Sequence, residues 1–473
     1  MQLFETLLIL LVFVQIFSLF IKSNHRPKLA YVGLGLMALH IILGEARWQM
    51  FFTYGVEAVI ILVLLRGSQT KSWIRLVSCL FAVILNLVSA ALAYALPIFS
   101  LPEPEGSYQV GLIEHHLPIN SRKELTTENP DDVRELMINV WYPSTNTVTN
   151  PEIYLPKVER EGFAIKYGLP LGTFSYLNKI KTNHQNGLTP AQGKFPILIF
   201  SPGYYTPASG YVGLIEEIVS QGYVVLNVIH PHETMGIEYP DGRKVYFNQE
   251  FSNNNSWNWN DDVAKAIETF NGSENQAIKR EAVKTMLASY GKDMVERWAL
   301  DIQNVIDALP RLNDQSDFLL NEHLDLSKLG SFGHSLGGAA AIENSIYNER
   351  VKATANLDGA QWGNLMLSDT NTPMLLLSSS KTNAVPDVNR FIFEKFKDQE
   401  FYNLVLENSG HSNFSDIPFM INIPQLNEAG SIPPKSAIQS TNEFLVSFFD
   451  KYLKNRSIDI KAHIEKDKHL QQR

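Results

Sequence analysis

One cysteine, Cys79, occurs in the 473 residues. An intramolecular disulfide is therefore excluded, and so is a zinc site built from several thiolates. Charge is also scarce. Asp, Glu, Lys and Arg make up 19% of the chain, below the usual quarter, which predicts a strongly apolar region somewhere. The balance is acidic, 40 Lys and Arg against 49 Asp and Glu, for a net charge of −9. That speaks against nucleic acid as a partner, because a phosphate backbone demands a basic surface. No internal repeat and no low-complexity tract occurs. What is plentiful is apolar surface, at 45% hydrophobic and 11% aromatic residues. That is ample for a large core and incompatible with a disordered chain.

The charge is unevenly spread. Residues 1–100 carry seven Lys and Arg against three Glu, a net +4, which leaves −13 for the remainder. Four apolar runs fill this first stretch: Leu3–Ile21, Leu29–Leu43, Phe51–Leu65 and Leu76–Leu96. A spanning helix needs about 20 apolar residues, so the first and fourth qualify by length. The second and third are shorter and contain His40 and Glu57. They read as spans inside a bundle or as a re-entrant pair. The first run lacks a basic leader and contains Glu5, which favours a retained helix over a cleaved signal peptide. The 22–28 and 66–75 loops carry three Lys or Arg each, and the 44–50 loop carries only Arg47. Positive loops stay in the cytoplasm. A multi-pass region of four spans therefore predicts that everything after residue 100 lies outside the cytoplasm. Glu57 is either a functional intramembrane carboxylate or an interior residue tied to a neighbour.

Residues 101–460 have a different texture. Short apolar runs bounded by turn residues occur at 136–141, 196–200, 223–228, 329–332, 353–357, 374–377 and 402–406. Helical patterns lie between them at 211–221, 294–309, 337–347, 388–396 and 440–453. This alternation predicts an α/β fold, a mostly parallel sheet with helices on both faces. Residues 150–190 and 240–292 do not fit it. The second segment holds Trp257 and Trp259 among asparagines and reads as a lid over the sheet. Residues 461–473 read as a charged tail.

The chemistry centres on Gly333-His334-Ser335-Leu336-Gly337. The pattern G-x-S-x-G is weak alone, but an apolar strand precedes it and a small-residue helix follows. That is the setting of a nucleophile elbow, in which flanking glycines avoid a clash between strand and helix. A serine hydroxyl needs a base, and the base needs an orienting acid. In this arrangement acid and then histidine follow the serine along the chain. Only His411, His463 and His469 lie beyond Ser335, and the last two sit in the charged tail. His411 is therefore the candidate base. Two acids compete, Asp358 at the end of a strand and Asp387 in a later loop. The strand end fixes position better and favours Asp358, leaving Asp387 as an N-cap for the helix starting near Val388. The backbone N–H groups of Leu336 and of Tyr204, in Phe200-Ser201-Pro202-Gly203-Tyr204, are the candidate oxyanion donors. His230-Pro231-His232-Glu233 holds metal-ligand types, but the proline denies it helical spacing. It reads as a loop lining the cleft, with no metal implied.

These residues resemble the platelet-activating factor acetylhydrolase family and its bacterial membrane-anchored carboxylesterase relatives. The resemblance covers about residues 100–455. It rests on Arg134-Glu135-Leu136-Met137, Val140-Trp141-Tyr142-Pro143, the Phe200–Tyr204 loop and the His230–Glu233 motif. Tyr239-Pro240-Asp241-Gly242-Arg243, the elbow, Leu357-Asp358-Gly359, and Gly410-His411 through Phe414-Ser415-Asp416 complete it. It implies an α/β-hydrolase fold with a triad of Ser335, Asp358 and His411 and oxyanion donors at Leu336 and Tyr204. It also implies hydrolysis of short-acyl or lipid-type esters through an acyl-enzyme, without a cofactor, on the outer side of a bacterial cell membrane. Two readings compete with it, acyl transfer by the same triad and a non-catalytic membrane interaction protein on a hydrolase scaffold. The apolar first hundred residues and the 240–292 segment depart from the secreted members.

Overall fold

The apolar runs of the first hundred residues fold as helices. They span Leu3–Ser18, Arg26–Ile42, Phe51–Arg66 and Ser72–Ala95. The computed structural model of the chain describes residues 2–21, 24–43, 46–67, 71–255, 260–288, 290–381, 386–396 and 399–472. It divides the chain into two units, residues 1–99 with 419–427, and residues 100–418 with 428–473.

In the first unit, two helices are long and apolar enough to cross a membrane among the described residues. They are Trp48–Arg66 with 19 residues and Ser72–Ala95 with 24. This differs from the sequence expectation, which gave span length to the first run and not to the third. The first helix stops at Ser18 after 16 residues. Arg26 accounts for the stop, because its guanidinium donates to the carbonyls of Ser18, Leu19 and Ile21 at 2.9–3.2 Å, groups that a helix end leaves unpaired. The third run gains length from a leading turn at Trp48–Met50. Polar side chains face inward. Arg47 Nε meets Glu5 Oε1 at 2.5 Å, and Gln15 Nε2 donates to Glu57 Oε1 at 2.9 Å. Thr53 Oγ1 donates to Asn86 Oδ1 at 2.9 Å. Glu57 is thus an interior residue tied to a neighbour. Leu10, Val14, Phe17, Phe81 and Leu87 point outward and are exposed. Polar inside and apolar outside is the reverse of a water-soluble bundle.

The second unit is built on strands. In chain order they are β1 (Gln109–Lys123), β2 (Val133–Ser144), β3 (His184–Asn186), β4 (Phe195–Ser201), β5 (Val224–Ile229) and β6 (Gly236–Glu238). There follow β7 (Lys244–Tyr246), β8 (Leu324–His334), β9 (Val351–Leu357), β10 (Met374–Ser379), β11 (Phe401–Leu406) and β12 (Leu470–Gln472). Ten of them form one sheet in the order β12-β11-β10-β9-β8-β4-β5-β2-β1-β3, while β6 and β7 pair separately. From β5 to β11 every pairing is parallel. The residues 461–473, read from the sequence as a tail, include β12, which pairs antiparallel with β11.

Alternation sorts the two faces. Ile197 and Ile199 of β4 join Val224, Leu226 and Val228 of β5 under the Tyr290–Asp314 helix, which buries Trp298, Ile302, Val305, Ile306 and Leu309 there. Each such side chain contributes roughly 1.5–3 kcal/mol relative to exposure. On the other face Phe332 packs against Phe200 and against Phe449 of the Pro434–Leu453 helix, with ring centroids 4.8 and 5.8 Å apart. The register sets Ser201 beside Gly333 and His334 beside Leu357. The C-terminal ends of β4, β8 and β9 are therefore level, and the loops that follow them start from one edge.

The 240–292 segment is largely helical. Asn260 caps the Asp261–Gly272 helix and Asn275 caps the Gln276–Met286 helix. Their apolar faces, including Val263, Phe270, Val283 and Met286, join a core with Trp362, Met366, Phe391 and Phe396. Trp257 and Trp259, the tryptophans assigned to a lid, lie outside the described residues.

Candidate active site

Ser335 sits in the turn between β8 and the Leu336–Glu343 helix, at φ 56° and ψ −126°. A non-glycine residue held at positive φ is strained and persists only where its surroundings over-determine it. Here the surroundings do. Ser335 N–H donates to Leu357 O at 2.8 Å, and the Ser335 carbonyl accepts from Gly338 and Ala339 N–H at 3.0 and 3.2 Å. The flanking glycines are required by packing. A Cβ on Gly333 would lie 2.4 Å from the Gly337 backbone and 2.5 Å from Ser201 O, and one on Gly337 would lie 2.2 Å from both Ser201 O and Pro202 O. The loop after β4, which carries the candidate donor Tyr204, is thus pressed directly onto the first turn of the elbow helix.

Asp358 follows β9 at φ 55° and is buried. Its Oδ1 accepts from Ser379 N–H at 2.7 Å, and its Oδ2 meets His411 Nδ1 at 2.7 Å. A Cβ on the next residue, Gly359, would lie 2.1 Å from Ser335 O, so the acid's turn packs against the serine. His411 opens a short 3-10 turn, His411–Phe414, with its side chain 35% exposed. Asn413 Oδ1 fixes that turn by accepting from Gly410 N–H at 2.8 Å and Gly430 N–H at 2.7 Å. Since the Asp358 carboxylate can only accept, His411 Nδ1 carries the proton and Nε2 keeps its lone pair. Asp387 is employed elsewhere. Its Oδ1 accepts from Arg390 N–H at 3.0 Å, the cap of the Val388–Phe396 helix.

Of the candidate donors, Leu336 is the first residue of the elbow helix. Tyr204 follows Gly203, whose own N–H donates to Tyr211 Oη at 2.9 Å. The Tyr204 ring packs against Phe247 and Trp298.

The His230–Glu233 motif divides: His232 lines a surface cleft with Glu124, Asp132, Tyr239 and Arg243, while His230 and Glu233 are buried. His230 Nδ1 meets Asp301 Oδ2 at 2.7 Å, His230 Nε2 meets Ser201 Oγ at 2.9 Å, and the ring stacks on Trp298 at 3.7 Å. Glu233 receives Arg297 Nη2 at 2.6 Å and Trp298 Nε1 at 3.0 Å. Arg134 Nη2 joins Asp301 Oδ2 at 2.6 Å, and Arg122 Nη1 joins Asp301 Oδ1 at 2.5 Å. Apart from Arg122 these groups are buried. Burial alone would raise the Asp301 carboxyl, but the Arg134 guanidinium, the His230 hydrogen bond and Arg122 outweigh it and hold the group well below the usual carboxylate range. His230 directly follows β5, and His232 takes φ 64°. His230 anchors Ser201, at the root of the loop that carries Tyr204. Sequence reasoning singles out neither Arg134 nor Asp301 for this role, nor His334 and Tyr211 beside the elbow.

A level strand edge, a strained elbow serine, and an acid and a histidine from the loops after β9 and β11 define an α/β-hydrolase. The sequence model of the family described as platelet-activating factor acetylhydrolase, isoform II, matches residues 95–469, and the chain belongs to that family. A probable 1-alkyl-2-acetylglycerophosphocholine esterase of Arthroderma benhamiae is 25% identical over 301 residues, 59% of this chain and 64% of that one. The platelet-activating factor acetylhydrolase of Cavia porcellus is 26% identical over 344 residues, 67% of this chain and 72% of that one. Among solved structures, a ferulic acid esterase from Streptomyces cinnamoneus superposes with a TM-score of 0.59 at 24% identity, covering 80% of this chain and 99% of its own.

Proposed function

We propose that Ser335 is the nucleophile, His411 the general base and Asp358 the orienting acid of this enzyme. The chain is a carboxylic ester hydrolase, acting through an acyl-enzyme. The observation that carries the assignment is the 2.7 Å contact between His411 Nδ1 and Asp358 Oδ2, made beside a serine at φ 56°. His411 Nε2 accepts the Ser335 proton as Oγ attacks the ester carbonyl, and the Asp358 carboxylate stabilises the imidazolium that results. The Leu336 and Tyr204 N–H groups receive the developing oxyanion. His411 then returns the proton to the leaving alkoxide, and water hydrolyses the acyl-enzyme with the roles repeated.

Family membership supports a lipid-type ester with a short acyl chain. One relative is named as a 1-alkyl-2-acetylglycerophosphocholine esterase and another as a platelet-activating factor acetylhydrolase. The helices Trp48–Arg66 and Ser72–Ala95, with apolar side chains outward and polar ones inward, support a multi-pass anchor. The basic 22–28 and 66–75 loops support a hydrolase unit outside the cytoplasm, since positive loops stay inside. The test is a series of p-nitrophenyl esters of increasing acyl length, together with an sn-2 acetyl glycerophospholipid, given to the full chain in membranes. Turnover falling with acyl length is the expected result, and no turnover on any member would overturn the reading.

A further inference from the structure

His334, the residue before the elbow serine, is buried at 2% exposure. Its hydrogen bonds run to a backbone oxygen and to Tyr211, not to the side chains of Ser335, Asp358 or His411. Its ring lies 4.5 Å from the His411 ring, tilted by 37°. Its Nε2 stands 2.9 Å from the backbone oxygen of His411, and its Nδ1 stands 2.9 Å from Tyr211 Oη. Tyr211 Oη in turn receives Gly203 N–H at 2.9 Å.

With the ring neutral, the chemistry of these groups fixes the direction of every bond. A carbonyl oxygen can only accept, so Nε2 carries the ring proton. Nδ1 is then the acceptor, and the Tyr211 hydroxyl donates to it. The Tyr211 oxygen is left to accept from Gly203. The result is one directed chain, Gly203 N–H to Tyr211, Tyr211 O–H to His334 Nδ1, His334 Nε2–H to His411 O. It runs from the oxyanion loop after β4, past the nucleophile, to the loop that carries the base. This is the arrangement of the neutral ring. Burial, with His411 adding to it, pushes His334 down to about 3, so the ring stays neutral when His411 becomes an imidazolium beside it. The glycine contacts described above leave no slack in the same region.

We infer that His334 is a positioning residue, a neutral imidazole that ties the oxyanion loop and the His411 loop to the elbow so that donor and base keep one spacing about Ser335. The inference rests on the ester-hydrolase reading of this site. It assigns a role to the variable position of the G-x-S-x-G pattern, through Nε2–H toward the base and through Nδ1 toward the oxyanion loop.

The test separates the two arms. Glutamine places an N–H donor where Nε2 stands, and asparagine places an acceptor where Nδ1 stands. His334→Ala should lower kcat by about tenfold or more with KM within about threefold, as expected for an alignment made use of in the transition state. His334→Gln, which keeps the arm toward the His411 loop, should recover more of kcat than His334→Asn, which keeps only the arm toward Tyr211. Tyr211→Phe should lower kcat too, and adding it to His334→Ala should cost little more, because both changes cut one chain. Melting temperatures are measured in parallel. If the alanine variant does not fold, the Gln and Asn pair, which keep a polar side chain in place, decide the matter. A His334→Ala enzyme with unchanged kcat, equal recovery by Asn and Gln, or losses that multiply in the double variant would each overturn the inference. Failure of the hydrolase reading is distinct, since it would appear as an inactive wild type that takes up no fluorophosphonate at Ser335.

Discussion

Asp358 and Asp387 carry the same group, and what separates them is how their oxygens are used. Asp358 gives one oxygen to Ser379 N–H and the other to His411. Asp387 gives an oxygen to Arg390 N–H at the start of a helix. Asp358→Asn would present an amide to His411 Nδ1 and hold the wrong tautomer, at a cost on the order of 10⁴ in kcat. Asp387→Asn keeps an acceptor for the cap and should cost less than about tenfold. Steady-state kinetics on the two purified variants decides, and the reverse ranking would move the acid to the later loop. At this scale the sequence is informative because the elbow imposes a local spacing and the order of the remaining groups eliminates most histidines. It is silent about His334 and Asp301, whose roles depend on partners such as Tyr211 and Arg134, 123 and 167 positions away. The misreading of His230 has the same origin. Its partners Ser201 and Asp301 lie 29 and 71 positions away.

Beyond the residues, the loop that carries His411 is held to the rest of the fold by a buried acid. Asp416 N–H donates to Gly210 O at 2.8 Å, Tyr154 Oη donates to Asp416 Oδ2 at 3.2 Å, and Gly213 N–H faces Oδ1 at 3.3 Å. Burial pushes the Asp416 carboxyl up to about 7, from 3.8. The folded protein therefore binds a proton across that interval that the unfolded chain has released. Stability from this group is fully present below about pH 4 and is lost as pH rises through about 7. Asp416→Asn does not titrate. Between about pH 5 and pH 7 the wild type should lose roughly 1.4 kcal/mol per unit relative to that variant. Denaturant unfolding of both at several pH values checks this, and a difference independent of pH contradicts it. Element types were legible where a run was continuously apolar, as in β4, β5, β8 and β10, because parallel strands covered on both faces must be. β1 was not read. It pairs with β2 over most of its length but has an exposed side, and His115, His116 and Pro118 interrupt any alternation. The helices of residues 249–286 were blurred for another reason, since their asparagine caps look like loop composition in a sequence.

The whole molecule joins two units with opposite surfaces, and the composition shift near residue 100 announces them. The anchor reading predicts sidedness. In a Cys79→Ser background, a cysteine placed at Ser107 should react with a membrane-impermeant maleimide in intact cells. Reaction only after lysis would put the hydrolase unit in the cytoplasm and overturn the four-span arrangement. Helix lengths in the first unit were less legible than helix positions, because Arg26 and the Trp48–Met50 turn set the ends, and neither is visible in an apolar run. The central claim concerns Ser335, toward which the sheet edge, the two glycines, Asp358 and His411 all converge. The direct measurement treats the full chain with a fluorophosphonate, maps the adduct by mass spectrometry, and compares ester turnover with that of Ser335→Ala. The account predicts one adduct, on Ser335, and turnover reduced in the variant by on the order of 10⁶ with its melting temperature unchanged. An adduct on another residue, or a folded Ser335→Ala protein that keeps more than a few per cent of the activity, would contradict it.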